Sequence, residues 1–183
     1  MEVWCTNSTL EHSSAILELS FIDLQSDREH RETRIVLLEP NQTTEIISMQ
    51  VPEPPLSSDN EFADLEPKRT MTHNVVISAR LLDKETKRVL SRIADWPQPY
   101  RFIDFPDPGL NVRVVDEIIT VSAERPVKGL IFSIAEEADV KWSDNGIDVM
   151  PGDPQEIIAK GIGSRRLRLA YMGSEKTKEI QAV

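Results

Sequence analysis

Short segments in which apolar and polar residues alternate are the feature that most constrains the fold of this chain. The clearest segment runs from Ala15 to Leu24, and its apolar residues on one face are Ala15, Leu17, Leu19 and Phe21. Between Arg165 and Met172, one face carries Leu167, Leu169 and Tyr171 and the other carries Arg166 and Arg168. Successive side chains of a β-strand point to opposite faces, so this period of two predicts strands that bury one face.

Turn residues divide the rest of the chain into further strands. The first half is predicted to contain six strands and no convincing helix; the strands are Met1–Thr6, Ala15–Leu24, Thr33–Leu38, Thr44–Val51, Asn74–Leu82 and Arg88–Ala94. The second half is predicted to contain Leu110–Val115, Ile118–Ala123, Val127–Ile134, Val140–Trp142 with Ile147–Met150, Gln155–Gly161 and Arg165–Met172. Many short strands separated by turn residues are typical of antiparallel sandwiches. The polar tail after Gly173 is expected to be frayed.

A proline-rich junction, Asp95–Gly109, separates the two halves. It contains four prolines, which central strands exclude. The junction is therefore the predicted boundary between two domains. A second proline-rich segment, Val51–His73, is predicted to be a partly mobile surface loop, with a peptide ligand for a partner as the alternative.

Aromatic residues alternate with the prolines of the junction. They are Trp96, Tyr100, Phe102 and Phe105. Packing between two domains is one interpretation of this pattern. The other interpretation is a rigid platform for stacking a glycan, for which Trp96 and Tyr100 are the candidates.

The charge of the chain argues against several classes of partner. A net charge of −10 and a pI of about 4.8 oppose binding to nucleic acid and to anionic membrane surfaces. No apolar run approaches the roughly 20 residues of a membrane helix, and the N-terminal residues lack the pattern of a basic-then-apolar leader. The single cysteine, Cys5, excludes an internal disulfide framework. We therefore expect a cytoplasmic or otherwise intracellular protein, although Asn7 and Asn41 lie in N-glycosylation triplets.

The sequence predicts no catalytic residue, no metal site and no cofactor site. His12, His30 and His73 lack ligand spacing, and Cys5 lies on a predicted strand that favours a buried structural thiol. The acids of possible pairs lie in loops; they are Glu136, Glu137 and Asp139, and Asp104 with Asp107. Solvated loop acids do not have the divided pKa values of a catalytic pair. The stretch Trp142–Asp153 has the composition of two tight turns, at Ser143–Gly146 and at Pro151–Asp153, rather than of a site.

Four stretches together resemble the C-terminal end of fungal β-mannosidases of glycoside hydrolase family 2, most closely the β-mannosidase B type. They are Met1–Leu10, Trp96–Leu110, Ile119–Phe132 and Trp142–Gln155. The resemblance covers nearly the whole chain and weakens between Val51 and His73. It implies two consecutive antiparallel immunoglobulin-like β-sandwiches: a carbohydrate-module-like first domain at residues 1–105, with its junction from about residue 95, and a second domain at residues 106–183.

The resemblance also implies what the chain does. The catalytic glutamates of the family lie on an upstream (β/α)₈ barrel, and no position here matches either motif. We therefore expect a non-catalytic portion that braces the barrel of an enzyme hydrolysing terminal, non-reducing β-D-mannose residues. The partners would be that barrel and, at the substrate cleft, mannan or oligosaccharides derived from N-glycans. The alternatives are an independent carbohydrate-binding module and a free-standing adhesion or scaffold protein.

The resemblance places a further strand before Met1. The first sandwich is therefore expected to lack an N-terminal strand and to be less stable than the second, because a lost partner leaves backbone groups unpaired and core side chains uncovered.

Overall fold

The computed structural model describes residues 1–26, 28–49, 74–97, 99–136, 139–174 and 177–181. The chain divides into two compact units, Met1–Ile103 and Asp104–Val183. The predicted loop at 51–73 lies outside the described residues. No helix in the described ranges is long and apolar enough to cross a membrane.

In the residues that the structure describes, the first unit contains six strands in two antiparallel sheets. The strands are β1 (Glu2–Asn7), β2 (Ser13–Asp23), β3 (Glu29–Leu38), β4 (Gln42–Ser48), β5 (Val75–Asp83) and β6 (Val89–Asp95). One sheet has the order β3-β2-β5-β6, and the other pairs β1 with β4. A single turn of 3₁₀ helix follows at Tyr100–Phe102. The six strands predicted from alternation are confirmed.

The core of the first unit follows the predicted alternation of β2. Its inward residues Ala15, Leu17, Leu19 and Phe21 are at most 4% exposed. Ile47 of β4 packs into the same cluster, so the two-stranded sheet covers part of the larger one. On the opposite face of β2, Glu18 accepts hydrogen bonds from the Arg80 guanidinium of the neighbouring strand. One strand thus separates an apolar core from a charged surface, as the period of two predicts.

The described part of the second unit contains eight strands in two four-stranded antiparallel sheets. The strands are β7 (Asn111–Val115), β8 (Ile118–Ser122), β9 (Val127–Ile134), β10 (Lys141–Trp142), β11 (Ile147–Val149), β12 (Gln155–Lys160), β13 (Arg166–Ala170) and β14 (Lys178–Gln181). The sheet orders are β10-β12-β8-β7 and β11-β9-β13-β14. The most deeply buried members of the core come from both sheets and include Ile119, Val121, Leu130, Phe132, Leu167 and Leu169. The prediction of an all-β chain of antiparallel sandwiches is confirmed.

The tail after Gly173 differs from the prediction. Instead of fraying, its residues Lys178–Gln181 form strand β14, which pairs with β13 from Arg166 to Leu169. Two contacts explain its order: Glu179 receives hydrogen bonds from Arg166 (3.2 Å) and Arg168 (2.8 Å). Ile180 also packs against the core. A polar sequence can therefore complete a sheet when its charges match those of the neighbouring strand.

The turn before β14 requires a glycine. Gly173 has φ of +86°, a left-handed conformation that residues with a side chain rarely adopt. A Cβ atom at this position would lie 2.3 Å from the Cβ atom of Phe105. Phe105, at the start of the second unit, therefore occupies the space that any larger residue would need.

The loop after β1 is organised by one buried amide. Asn7 is 5% exposed, and its Nδ2 donates to the carbonyl oxygens of Glu11 (2.8 Å) and Leu38 (3.2 Å). Its Oδ1 accepts from the backbone N–H (3.0 Å) and the hydroxyl (2.8 Å) of Thr9. Every hydrogen-bonding group of this amide is used, so Asn7 ties the β1–β2 connection to the end of β3.

We expect Asn7→Asp to destabilise the first unit by roughly 1–3 kcal/mol, because a carboxylate would face two carbonyl oxygens without a proton to donate. Urea unfolding followed by circular dichroism measures the loss. Asn41→Asp is the matched control. Asn41 is exposed at φ +49°, a conformation that Asp tolerates, so the control should change stability by less than about 0.5 kcal/mol. Equal midpoints for the two variants would contradict the role of Asn7.

Candidate functional site

In the polar bend after β10, the side chains of Ser143 and Asn145 form hydrogen bonds with backbone groups of neighbouring strands. The backbone N–H of Phe132 donates to Oδ1 of Asn145 (2.8 Å), and Nδ2 of Asn145 donates to the Phe132 carbonyl (2.9 Å). Ser143 pairs with Ile158 in the same way, through its own N–H and through its hydroxyl, each at 2.9 Å. These bonds continue the hydrogen bonding of both sheets into the bend. The predicted turn composition is therefore used for structure.

A second, partly buried contact fixes the strand that leaves the bend. Asp148 on β11 accepts from the ammonium of Lys128 (2.9 Å) and from the backbone N–H of Gly129 (2.8 Å). Gly129 has φ of +62°, and the pairing of β9 with β11 is irregular in this region. The side-chain amide of Gln155 donates to the Asp148 carbonyl at 2.7 Å. The carboxylate of Asp148 is thus held by structural donors.

The carboxylates considered as candidate acids do not form a catalytic pair in the described residues. Glu136 is exposed and bonded to the Arg166 side chain at 3.0 Å, and this hydrogen bond lowers the pKa of the glutamate carboxyl. A general acid needs the opposite shift, a raised pKa. Asp139, Asp104 and Asp107 are exposed. Glu137 lies outside the described residues.

No group of three or more His, Cys, Asp or Glu side chains in the described ranges is arranged to hold a metal ion. His12 lies 3.1 Å from Glu39, and His30 lies 3.6 Å from Glu32, both on the surface. His73 lies outside those ranges. Cys5 is half-buried on β1, and burial raises the pKa of its thiol. A protonated, half-buried thiol is a poor nucleophile.

The aromatic residues of the junction have different environments. Trp96 is 4% exposed, so its ring offers no face to a sugar. Tyr100 is half-buried in the 3₁₀ turn, whereas Phe102 is 66% exposed with the Arg101 guanidinium 4.6 Å from its ring centroid. Phe102 is therefore the most exposed of these three rings.

One exposed aromatic was not among the candidates from sequence. Trp4 on β1 is 53% exposed, and its indole N–H donates to Glu2 at 3.3 Å. Glu45 of β4 lies opposite Trp4 in the sheet, and hydroxyls of Thr6 and Thr43 meet beside them at 2.9 Å. In β1, Val3 and Cys5 alternate with Glu2 and Trp4, so the sequence contains the signal that puts Trp4 on the face opposite the core. The ring of Trp4 is more accessible than that of Trp96.

The two glycosylation triplets also differ. The side-chain amide nitrogen of Asn7 is buried and donates hydrogen bonds to two carbonyl oxygens, so a glycan at Asn7 is incompatible with the folded loop. Asn41 is exposed at the β3–β4 turn. Of the two residues, only Asn41 offers a side chain that a glycan could occupy without displacing structural bonds.

Comparisons with known proteins place this fold. The family model of the mannosidase Ig/CBM-like domain matches residues 1–101. β-Mannosidase B of Aspergillus niger is 34% identical over 183 aligned residues, which cover 94% of this chain and 19% of that protein. β-Mannosidase B of Aspergillus terreus is 32% identical, with 94% of this chain and 20% of that protein covered. The chain thus spans about one fifth of the length of these relatives.

Two solved structures share the fold at low sequence identity. A β-D-mannosidase from Dictyoglomus thermophilum matches with a TM-score of 0.67 and 14% identity, covering 93% of this chain and 20% of that one. An exo-β-D-glucosaminidase matches with a TM-score of 0.63 and 12% identity, covering 99% of this chain and 25% of that one. The resemblance read from the sequence is confirmed. The family model matches more than half of the residues of this chain, and the chain therefore belongs to the mannosidase Ig/CBM-like domain family.

Proposed function

We propose that this chain is a non-catalytic portion of a β-mannosidase of glycoside hydrolase family 2, an enzyme that hydrolyses terminal, non-reducing β-D-mannose residues. The observation that carries the proposal is the extent of the similarity. It runs through both units, over 94% of this chain, and corresponds to 19% of β-mannosidase B of Aspergillus niger. The catalytic portion then lies in the remainder of the parent polypeptide.

The electrostatics of the described residues support this division. A retaining glycosidase uses two carboxyl groups about 5–5.5 Å apart, one of them an acid with a raised pKa. The carboxyl groups with shifted pKa values here are Glu32, Asp83 and Glu136, and all three are lowered. Hydrogen bonds from Arg34, from Thr86 and from Arg166, respectively, are the main causes. These groups remain ionised and paired, which suits a surface rather than an acid catalyst.

The second unit offers a surface that suits bracing. Val115, Ile118 and Ile158 are adjacent in the register of three neighbouring strands, and each is 45–46% exposed. We name these three residues the apolar row. A sheet face that leaves such a row in water gains free energy when another part of the polypeptide covers it. The proposed occupant is the catalytic barrel.

The purified chain should show no hydrolysis of an aryl β-mannoside above the buffer blank, because no described acid pair is arranged for catalysis. Continuous release of the aryl alcohol measures this. Turnover that persists through repeated purification and is proportional to protein concentration would contradict the proposal.

A chimera tests bracing directly. Replacing the matching segment of β-mannosidase B of Aspergillus niger with this chain should give an active enzyme. The double change Ile118→Ser with Ile158→Ser in the apolar row should lower the melting temperature and the activity of the chimera, because it places polar hydroxyl groups in a buried apolar contact. Ile131→Ser is the control, since Ile131 is 52% exposed on the other sheet of the same unit. An inactive chimera, or equal effects of the two sets of changes, would contradict bracing through the apolar row.

A second function, carbohydrate binding, is favoured by one observation: the exposed ring of Trp4 lies among Glu2, Glu45 and the paired hydroxyls of Thr6 and Thr43. Aromatic faces stack on sugar rings, and carboxylates accept hydrogen bonds from sugar hydroxyls. The substrate class would be a neutral oligosaccharide of mannan or N-glycan origin, since the two carboxylates would repel an acidic one.

The bracing role predicts that calorimetric titration with manno-oligosaccharides gives only heat of dilution. The carbohydrate-binding role predicts a saturable isotherm that Trp4→Ala abolishes. Phe102→Ala is the matched control, because Phe102 is also an exposed aromatic residue. A saturable isotherm that Trp4→Ala removes and Phe102→Ala does not would show that the chain binds carbohydrate, and would contradict a role limited to bracing.

A further inference from the structure

The dipeptide Asn145–Gly146 is the one place in the chain where an asparagine precedes a glycine. The other five asparagines precede Ser8, Gln42, Glu61, Val75 and Val112. An asparagine carboxamide can be attacked by the backbone nitrogen of the next residue, and a side chain on that residue hinders the approach. Gly146 has no side chain, and a Cβ atom built at its position would meet nothing within 4 Å. This dipeptide therefore has the chemistry of a deamidation site.

The folded structure brings the reacting groups together but restrains them. The backbone N–H of Gly146 lies 2.9 Å from Oδ1 of Asn145. The same carboxamide is held at both of its atoms by Phe132, with Oδ1 accepting at 2.8 Å and Nδ2 donating at 2.9 Å. Ring closure requires the carboxamide carbon to turn toward the Gly146 nitrogen and Nδ2 to depart. Both movements break the bonds to Phe132.

We propose that Asn145 is a site of spontaneous deamidation that is gated by opening of the bend from strand β9. In the opened state, hydroxide removes the proton from the Gly146 nitrogen, and this nitrogen forms a bond to the side-chain carbonyl carbon of Asn145. The bond from that carbon to Nδ2 breaks, and Nδ2 leaves as ammonia after taking a proton from water. Water then hydrolyses the resulting succinimide at either carbonyl, giving aspartate or isoaspartate at position 145.

The product no longer fits the place that the asparagine occupied. A carboxylate has no proton to donate to the Phe132 carbonyl, and its charge lies beside Asp144, whose carboxylate accepts from the backbone N–H of residue 145 at 2.8 Å. The isoaspartate form also adds a main-chain carbon before Gly146. Phe132 is a core residue stacked on Trp142, with ring centroids 6.0 Å apart. Deamidation therefore makes the separation of the bend from strand β9 permanent instead of transient.

The rate of conversion at Asn145 tests the gate. The chain is incubated in mildly alkaline buffer, folded in one sample and unfolded in guanidinium chloride in another, and peptide mass spectrometry follows the replacement of NH₂ by OH. Folding should slow conversion about tenfold or more, because reaction then requires local opening. Asn111, which precedes Val112 on β7, should react slowly in both samples and serves as the internal control. Equal rates at Asn145 in the two samples would overturn the proposal.

Two further measurements test the chemistry and its consequence. Gly146→Ala, compared with the unchanged chain in guanidinium chloride only, should slow conversion at position 145 whether or not the variant folds. The deamidated protein, separated by ion exchange, should unfold at a lower denaturant concentration than unconverted protein of the same age. Unchanged conversion in Gly146→Ala, or identical unfolding of the separated forms, would overturn the proposal.

Discussion

In each unit, apolar side chains from one face of most strands lie between two sheets, and their removal from water offsets the entropy lost when the chain is ordered. Leu167 and Leu169 of β13 are at most 1% exposed, and each contributes roughly 1.5–3 kcal/mol relative to an exposed side chain. Burial on this scale requires the backbone between the two leucines to keep a period of two without a slip. A shift of one residue would turn Arg166 and Arg168 into the core. The register of the strands is therefore the condition on which the rest of the structure depends.

Polar side chains protect that register where the ladders end. Asn7 pairs with two carbonyls beyond β1, Asn145 pairs with both backbone groups of Phe132, and Ser143 pairs with Ile158. Each takes a position that a backbone group of a longer strand would take. Buried backbone groups thus remain paired although the strands are short. Asn7 in the first unit, and Ser143 and Asn145 in the second, thus help to close the turns of their sandwiches.

The strands of both units could be predicted from the sequence because alternation directly reports which face is buried. The same alternation places Trp4 on the outer face of β1. The order of β14 could not be predicted in this way, because it depends on pairing with β13 and on contacts such as that of Glu179 with Arg166, which no local pattern contains. The role of Asn7 is a similar case: its triplet indicated a surface modification, whereas its partners are carbonyls across the loop.

The contact between Gly173 and Phe105 has a consequence for how this domain can change during evolution. A side chain at position 173 would need both the left-handed backbone and the space that the Phe105 ring now fills. A smaller residue at position 105 would relieve only the second of these restrictions. A substitution at 173 is therefore tolerated only together with a change at 105 and a change in the turn. Whichever change comes first, the intermediate sequence is less stable. The two positions, 68 residues apart in the numbering, should be inherited as a pair.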